Sequence, residues 1–159
     1  MNKILHSYKT PLGHSVQIHK KTYGPVSEKP KNRLAIISGL HGDELEGIAL
    51  CGRLVSYLSR LEEENPEAIQ GQIEIYPTAN PQALTSSQRL WPMGDLDMNR
   101  QFGGNGKSLL SDISKRILKD IIQNSDIAID IHAGNLFLKE LPQVRIIEGY
   151  EKKLIPLAS

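Results

Sequence analysis

Three side chains in this sequence have the chemistry and the setting to share one metal ion: His41, Glu44 and His132. His41 and Glu44 stand three positions apart, where an apolar run ends in Ser38-Gly39-Leu40 and a helical pattern begins. One turn at the head of that helix can aim an imidazole and a carboxylate at the same point. His132 follows a second apolar run, Ile127-Ala128-Ile129-Asp130-Ile131, so it too stands where a strand runs out. Two imidazoles and one carboxylate suit a tetrahedral zinc ion with one position left for water. Zinc held in this way lowers the pKa of bound water to about 7 and polarises a carbonyl, which makes hydrolysis of an amide or ester the natural reaction.

The elements that must position these groups are legible from periodicity. Arg33–Leu40 is nearly continuous and apolar, as in a strand of a parallel sheet covered on both faces. Leu45, Ile48, Cys51, Leu54, Val55, Leu58 and Leu61 then recur at helical intervals until Pro66. Asp43, followed three places later by Glu46, resembles a capping box at the start of this helix. Gln72–Thr78 predicts a strand with Ile73 and Ile75 on one face, and strand, helix, strand implies a parallel crossover. Asn80–Asn105 shows no helical period and is rich in Gly, Pro, Asp and Asn, so a long excursion is expected there. Leu109, Ile113, Ile117, Ile121 and Ile122 predict a helix over Ser108–Gln123, and Asp126–Ile131 predicts the next buried strand, parallel to the first. Upstream, Ile4–Tyr8 and Ser15–Tyr23 flank Thr10-Pro11-Leu12-Gly13 and predict a hairpin. Gly24–Asn32 reads as a surface connection and Gln143–Glu148 as one more strand.

Composition narrows the function classes. The chain has 159 residues, 39% of them apolar and 23% charged, with a formal net charge of +1. That charge gives no reason to expect nucleic acid. The lone Cys51 cannot close an internal disulfide and fits the packed side of its helix. No run approaches the ~18 apolar residues of a membrane span, and Met1–Thr10 lacks the apolar region of a signal peptide, so a cytoplasmic location is expected.

Plainer readings compete at several positions. His41 and Glu44 alone would equally suit a turn histidine and a helix-start carboxylate that satisfies local backbone donors. His132 and the pair Asn99-Arg100 tip the balance toward a site. Gly103-Gly104-Asn105-Gly106-Lys107-Ser108 opens a helix, but Gln101 stands where a phosphate loop needs its first glycine and no strand precedes it. His6, His14 and His19, on or beside the hairpin, read as surface residues. Trp91 and Met93 read either as the mouth of a pocket or as an aromatic anchor for their own loop.

Taken in order, His41-Gly42-Asp43-Glu44, Asn80-Pro81, Asp97-Met98-Asn99-Arg100 and Asp130-Ile131-His132 resemble the motifs of zinc carboxypeptidases, above all the succinylglutamate desuccinylase and aspartoacylase branch. The resemblance runs from about Ile36 to Gly134. It implies an α/β fold with a mixed, largely parallel sheet and helices on both faces. It also implies that His41, Glu44 and His132 bind Zn2+ and that Asp97 orients His41. Asn99 and Arg100 would hold a substrate carboxylate, and Arg89 would act catalytically on the developing oxyanion. Asp130 is left as structural. The implied activity is deacylation of an N-acyl amino acid, with carboxypeptidase action on short peptides as the runner-up. In this family the general base is a glutamate well downstream of the third ligand. Only Glu140, Glu148 and Glu151 follow His132 here, none of them in that context. Residues 1–159 are therefore expected to form a single zinc-hydrolase domain cut short at its C-terminus, inactive alone or serving as a non-catalytic metal-binding module. The oligomeric state is open.

Overall fold

The computed structural model describes residues 1–25, 32–134 and 139–158. The N-terminal hairpin forms as expected: β1 (Asn2–Lys9) pairs antiparallel with β2 (Ser15–Tyr23). Of the connection expected over Gly24–Asn32, residues 26–31 lie outside the described residues. The chain then enters β3 (Arg33–Ser38), α1 (Leu45–Glu64), β4 (Gln72–Tyr76) and the short helix α2 (Pro81–Thr85). After a stretch with a 3-10 turn at Met98–Arg100 come α3 (Leu109–Asn124), β5 (Ile127–Ile131) and α4 (Glu151–Ala158).

The described strands form one mixed sheet in the order β1-β2-β4-β3-β5. β3 is parallel to both β4 and β5, whereas β2 meets β4 antiparallel. Alternation along β3 sends Ile36 to one face and Ala35 and Ile37 to the other. On the first face, Cys51 and Leu58 of α1 pack with Tyr23, Ile36, Ile69 and Ile75. On the second, Leu110, Ile113, Ile117 and Ile121 of α3 pack with Ala35, Ile37 and Tyr76. The fold is thus mixed α/β with helices on both faces. Buried among the apolar groups on the α3 side, Lys20 lies 2.9 Å from Glu74 and 2.6 Å from Asp120. The Tyr76 hydroxyl lies 2.6 Å from Asp120 Oδ2 and 3.0 Å from Glu74 Oε2 and can donate its one proton to either.

Several expectations need correction. The Asp126–Ile131 segment is a strand, but it is not buried: β5 pairs only with β3 among the described strands, and Ile129 is 46% exposed. An apolar run looks doubly covered, yet its place in the sheet order decides what covers it. Gln143–Glu148 forms no strand, and Val144 and Ile147 are exposed; β-leaning composition makes no ladder without a partner edge. The capping box is also absent. Glu44 itself is the N-cap of α1, with no side-chain cap bond, because its carboxylate is turned toward the two histidines. The excursion after Asn80 contains α2, which Asn80 caps by accepting from the Ala83 N–H, with Pro81 in its first turn. Five residues are too few to show a period. His14 is exposed as expected, whereas His6 and His19 are half-buried.

Candidate metal centre

The site is built at the carboxyl ends of two adjacent parallel strands, where open α/β sheets place their ligands. Ser38 and Ile131 are partners in the β3–β5 register, so the chain leaves both strands at the same level and His41 and His132 emerge side by side. The turn carrying His41 depends on two glycines. Gly39 adopts φ +66, a conformation that costs a Cβ-bearing residue, and Gly42 lies so close to the Ala83 and Leu84 backbone that a side chain there would displace α2. The turn is further tied by Asn80, fully buried, whose Nδ2 donates to the Leu40 carbonyl at 3.1 Å and whose backbone N–H donates to Gly39 O at 2.8 Å.

Glu44 sits between the two imidazoles. Its Oε1 is 2.7 Å from His41 Nδ1 and its Oε2 is 2.9 Å from His132 Nδ1. Oε2 also accepts from the Ala133 backbone N–H at 3.0 Å, and Oε1 from Arg89 Nη1 at 2.9 Å. One ligand atom each from His41, Glu44 and His132 lies within 4.8 Å of the others. The far nitrogens are held as well: His41 Nε2 by Asp97 at 3.1 Å and His132 Nε2 by Asp130 at 2.8 Å. A carboxylate behind each imidazole fixes ring orientation and leaves Nδ1 to face the centre.

Electrostatics follow from this packing. Burial works against the charge of Glu44, but hydrogen bonds from His132, His41 and Ala133 outweigh it and hold its carboxyl well below the usual carboxylate range. Hydrogen bonds to Asp130 and Glu44 raise the His132 pKa to about 10 against the opposing effect of burial. A proton on His132 Nδ1 would point at Glu44 Oε2, 2.9 Å away. A divalent cation shared by these groups would take the place of that proton, so the donor set suits a metal in ligand type, convergence and charge. Asp97 is likewise held below the ordinary range, with hydrogen bonds from His41 and the Asn99 N–H outweighing burial.

The other residues singled out from sequence fall around this centre. Arg89 reaches it through Glu44, with its side chain 48% exposed. Asn99 and Arg100 lie on the 3-10 turn next to Asp97 and are exposed, and their side chains enter no hydrogen bond or ion pair among the described residues. Glu140, Glu148 and Glu151 make no bond to His41, Glu44 or His132 among the described residues. Sequence reasoning missed two positions. Asp130, read as structural, holds His132, and the signal was the Asp-x-His spacing, which puts both side chains on one face of a strand. Asn80 anchors the His41 turn, and its signal was Asn-Pro at the start of a short helix.

Residues 30–151, well over half of the chain, match the family of succinylglutamate desuccinylase/aspartoacylase catalytic domains. An N-alpha-acetyl-L-2,4-diaminobutyric acid deacetylase of Halomonas elongata is 30% identical over 128 residues, covering 80% of this chain and 34% of that protein. The crystal structure of an aspartoacylase family protein from Mesorhizobium loti superposes with a TM-score of 0.62 at 29% identity, over 79% of this chain and 37% of that one. A putative carboxypeptidase A from Shewanella denitrificans shares the fold with a TM-score of 0.67 at 17% identity, over 84% of this chain and 35% of its own. The chain thus spans about a third of the length of these relatives.

Proposed function

The chain belongs to the succinylglutamate desuccinylase/aspartoacylase family, and from that premise we propose that it carries the zinc centre of a hydrolase cleaving the amide bond of a small carboxylated substrate, an N-acyl amino acid. The observation that carries this reading is the convergence of His41, Glu44 and His132 within 4.8 Å, each imidazole backed by its own carboxylate. These three residues hold the metal, with Asp97 and Asp130 fixing the rings from behind. Zinc bound there supplies Lewis acidity, which activates water near neutral pH and polarises the scissile carbonyl. Arg89 stabilises the oxyanion as it develops. Asn99 and Arg100 hold the substrate carboxylate, a role suited to a guanidinium that makes two parallel charge-assisted bonds. The name of the Halomonas elongata relative, a deacetylase of an N-acetylated amino acid, supports an acyl amino acid over a peptide.

Amide hydrolysis also needs a proton acceptor and donor, worth roughly 10²- to 10⁴-fold in rate. The convergence of the three ligands by itself would also serve a second reading: a metal-binding module without hydrolytic activity. One set of experiments separates the readings. Protein purified without chelator should hold close to one zinc per chain and lose it in His41→Ala and His132→Ala. Zinc content that ignores both substitutions rejects the centre. Release of amino acid from N-acetyl or N-succinyl substrates, sensitive to Arg100→Ala, supports the hydrolase; one zinc with no turnover supports the module.

A further inference from the structure

Apart from the metal centre, the molecule has a concavity of about 380 Å³ between the β1–β2 turn, the loop around Trp91 and the start of α3. We propose that this cavity is a second binding site, for a small molecule with an apolar body of aromatic size and an anionic head. Its lining is apolar: Trp91 and Leu110 are almost fully buried, Met93 and Leu96 are half-buried, and Leu109 is 40% exposed. The size falls within the range of about 300–1,000 Å³ typical of small-molecule sites. Leu109 explains itself in this setting. It begins the apolar row that continues through Ile113, Ile117 and Ile121 but, as the first residue of α3, stays exposed beside a cavity that an apolar ligand would fill.

The head group is assigned from charge. Lys9 lines the cavity, is exposed and enters none of the ion pairs among the described residues. The positive end of the 16-residue α3 lies alongside. Asp112, the acid in the first turn of α3, is not among the lining residues. The cavity is distinct from the metal centre, since neither His41, Glu44, His132 nor Arg100 lines it.

The wall is held in shape by its own bonds. Trp91 and Leu96 form an isolated antiparallel bridge, with the Trp91 N–H donating to Leu96 O at 2.9 Å, and the Trp91 ring packs 5.8 Å from Tyr8. The loop is therefore anchored by its own aromatic and also forms a pocket wall, so both readings of Trp91 and Met93 hold together.

Trp91 is the single tryptophan of the chain, so its emission reports the cavity directly. The probe is 3-phenylpropionate, titrated into the zinc-loaded full chain, with 3-phenylpropanol as its neutral counterpart. A saturable change in emission is expected. Lys9→Ala should weaken binding by up to about fivefold, the scale of an exposed ion pair. Leu109→Phe, which fills the cavity from an exposed position, should weaken it by about tenfold or more. Far-ultraviolet circular dichroism checks that both variants fold. No saturable change overturns the site. Equal binding of the alcohol overturns the anionic head. A response that survives Leu109→Phe and disappears in Arg100→Ala places the carboxylate at the metal centre and overturns the proposal.

Discussion

Removing the carboxylates behind the two histidines, one at a time, should separate metal affinity from stability. In Asp97→Ala, His41 loses the partner of its Nε2 while the ring stays 1% exposed. A buried polar group left unsatisfied costs about 1–3 kcal/mol. For a chain of this size that lowers Tm by roughly 2–12 °C, at about 2–4 °C per kcal/mol. In Asp130→Ala, His132 also loses its Nε2 partner, but its side chain is 34% exposed and water can take the place of the carboxylate. The metal-free stability should then fall by no more than about 1 kcal/mol, the scale of a solvent-screened ion pair. Zinc affinity responds differently, because each variant frees the orientation of one ligand. Both should bind zinc about 10- to 100-fold more weakly, or about 1.4–2.7 kcal/mol. Competition against a chromophoric chelator at neutral pH measures the affinity, and thermal unfolding in EDTA measures the stability. Wild-type zinc affinity in both variants would refute the reasoning, as would a loss of Tm in Asp130→Ala as large as that in Asp97→Ala.

Three further outcomes are expected. Lys20→Met removes the cation shared by buried Glu74 and half-buried Asp120, and because Arg33 stays 3.3 Å from Glu74 the cost in urea unfolding should be about 3 kcal/mol, the lower end for a broken buried pair; a change below about 1 kcal/mol, the scale of an exposed pair, would contradict it. Burial opposes the charge of Asp120, but Lys20 and Tyr76 outweigh it and depress its pKa, so its contribution is present above the unfolded value of about 3.9 and lost as pH falls through the folded one. Asp120→Asn should therefore flatten the fall in stability below about pH 4, and an unchanged slope in acid titrations of the urea midpoint would count against it. Gly42→Ala forces a Cβ against the Ala83–Leu84 backbone; the expected cost is about 1–3 kcal/mol, read by thermal unfolding, together with weaker zinc binding as the His41 turn shifts.

Local pattern carried far in this protein because its main elements bury one face each. The spacing of Cys51 and Leu58, or of Ile113, Ile117 and Ile121, states which side of a helix is packed. The His41 turn was legible for the same reason, since a glycine-ended strand leads directly into a helix. Asp130 was harder to read: the Asp-x-His spacing shows that the two share a face, but not that the aspartate bonds its neighbour rather than capping the strand end. Glu44 offered no cap signal of its own, and only the arrival of His132, 88 residues later, explains why its carboxylate turns inward.

By itself the sequence determined which donor types stand at the strand ends and the order of elements that lead to them, because ligand chemistry and hydrophobic period are properties of residue types and their spacing. Tertiary structure alone decided that β3 and β5 are neighbours in register, that β5 is an edge among the described strands, that Arg89 reaches Glu44, and that Trp91, Leu109 and Lys9 surround one cavity. Each of these depends on contacts between segments distant in the chain, whose pairing is set by how the layers close over one another and leaves no period in the sequence.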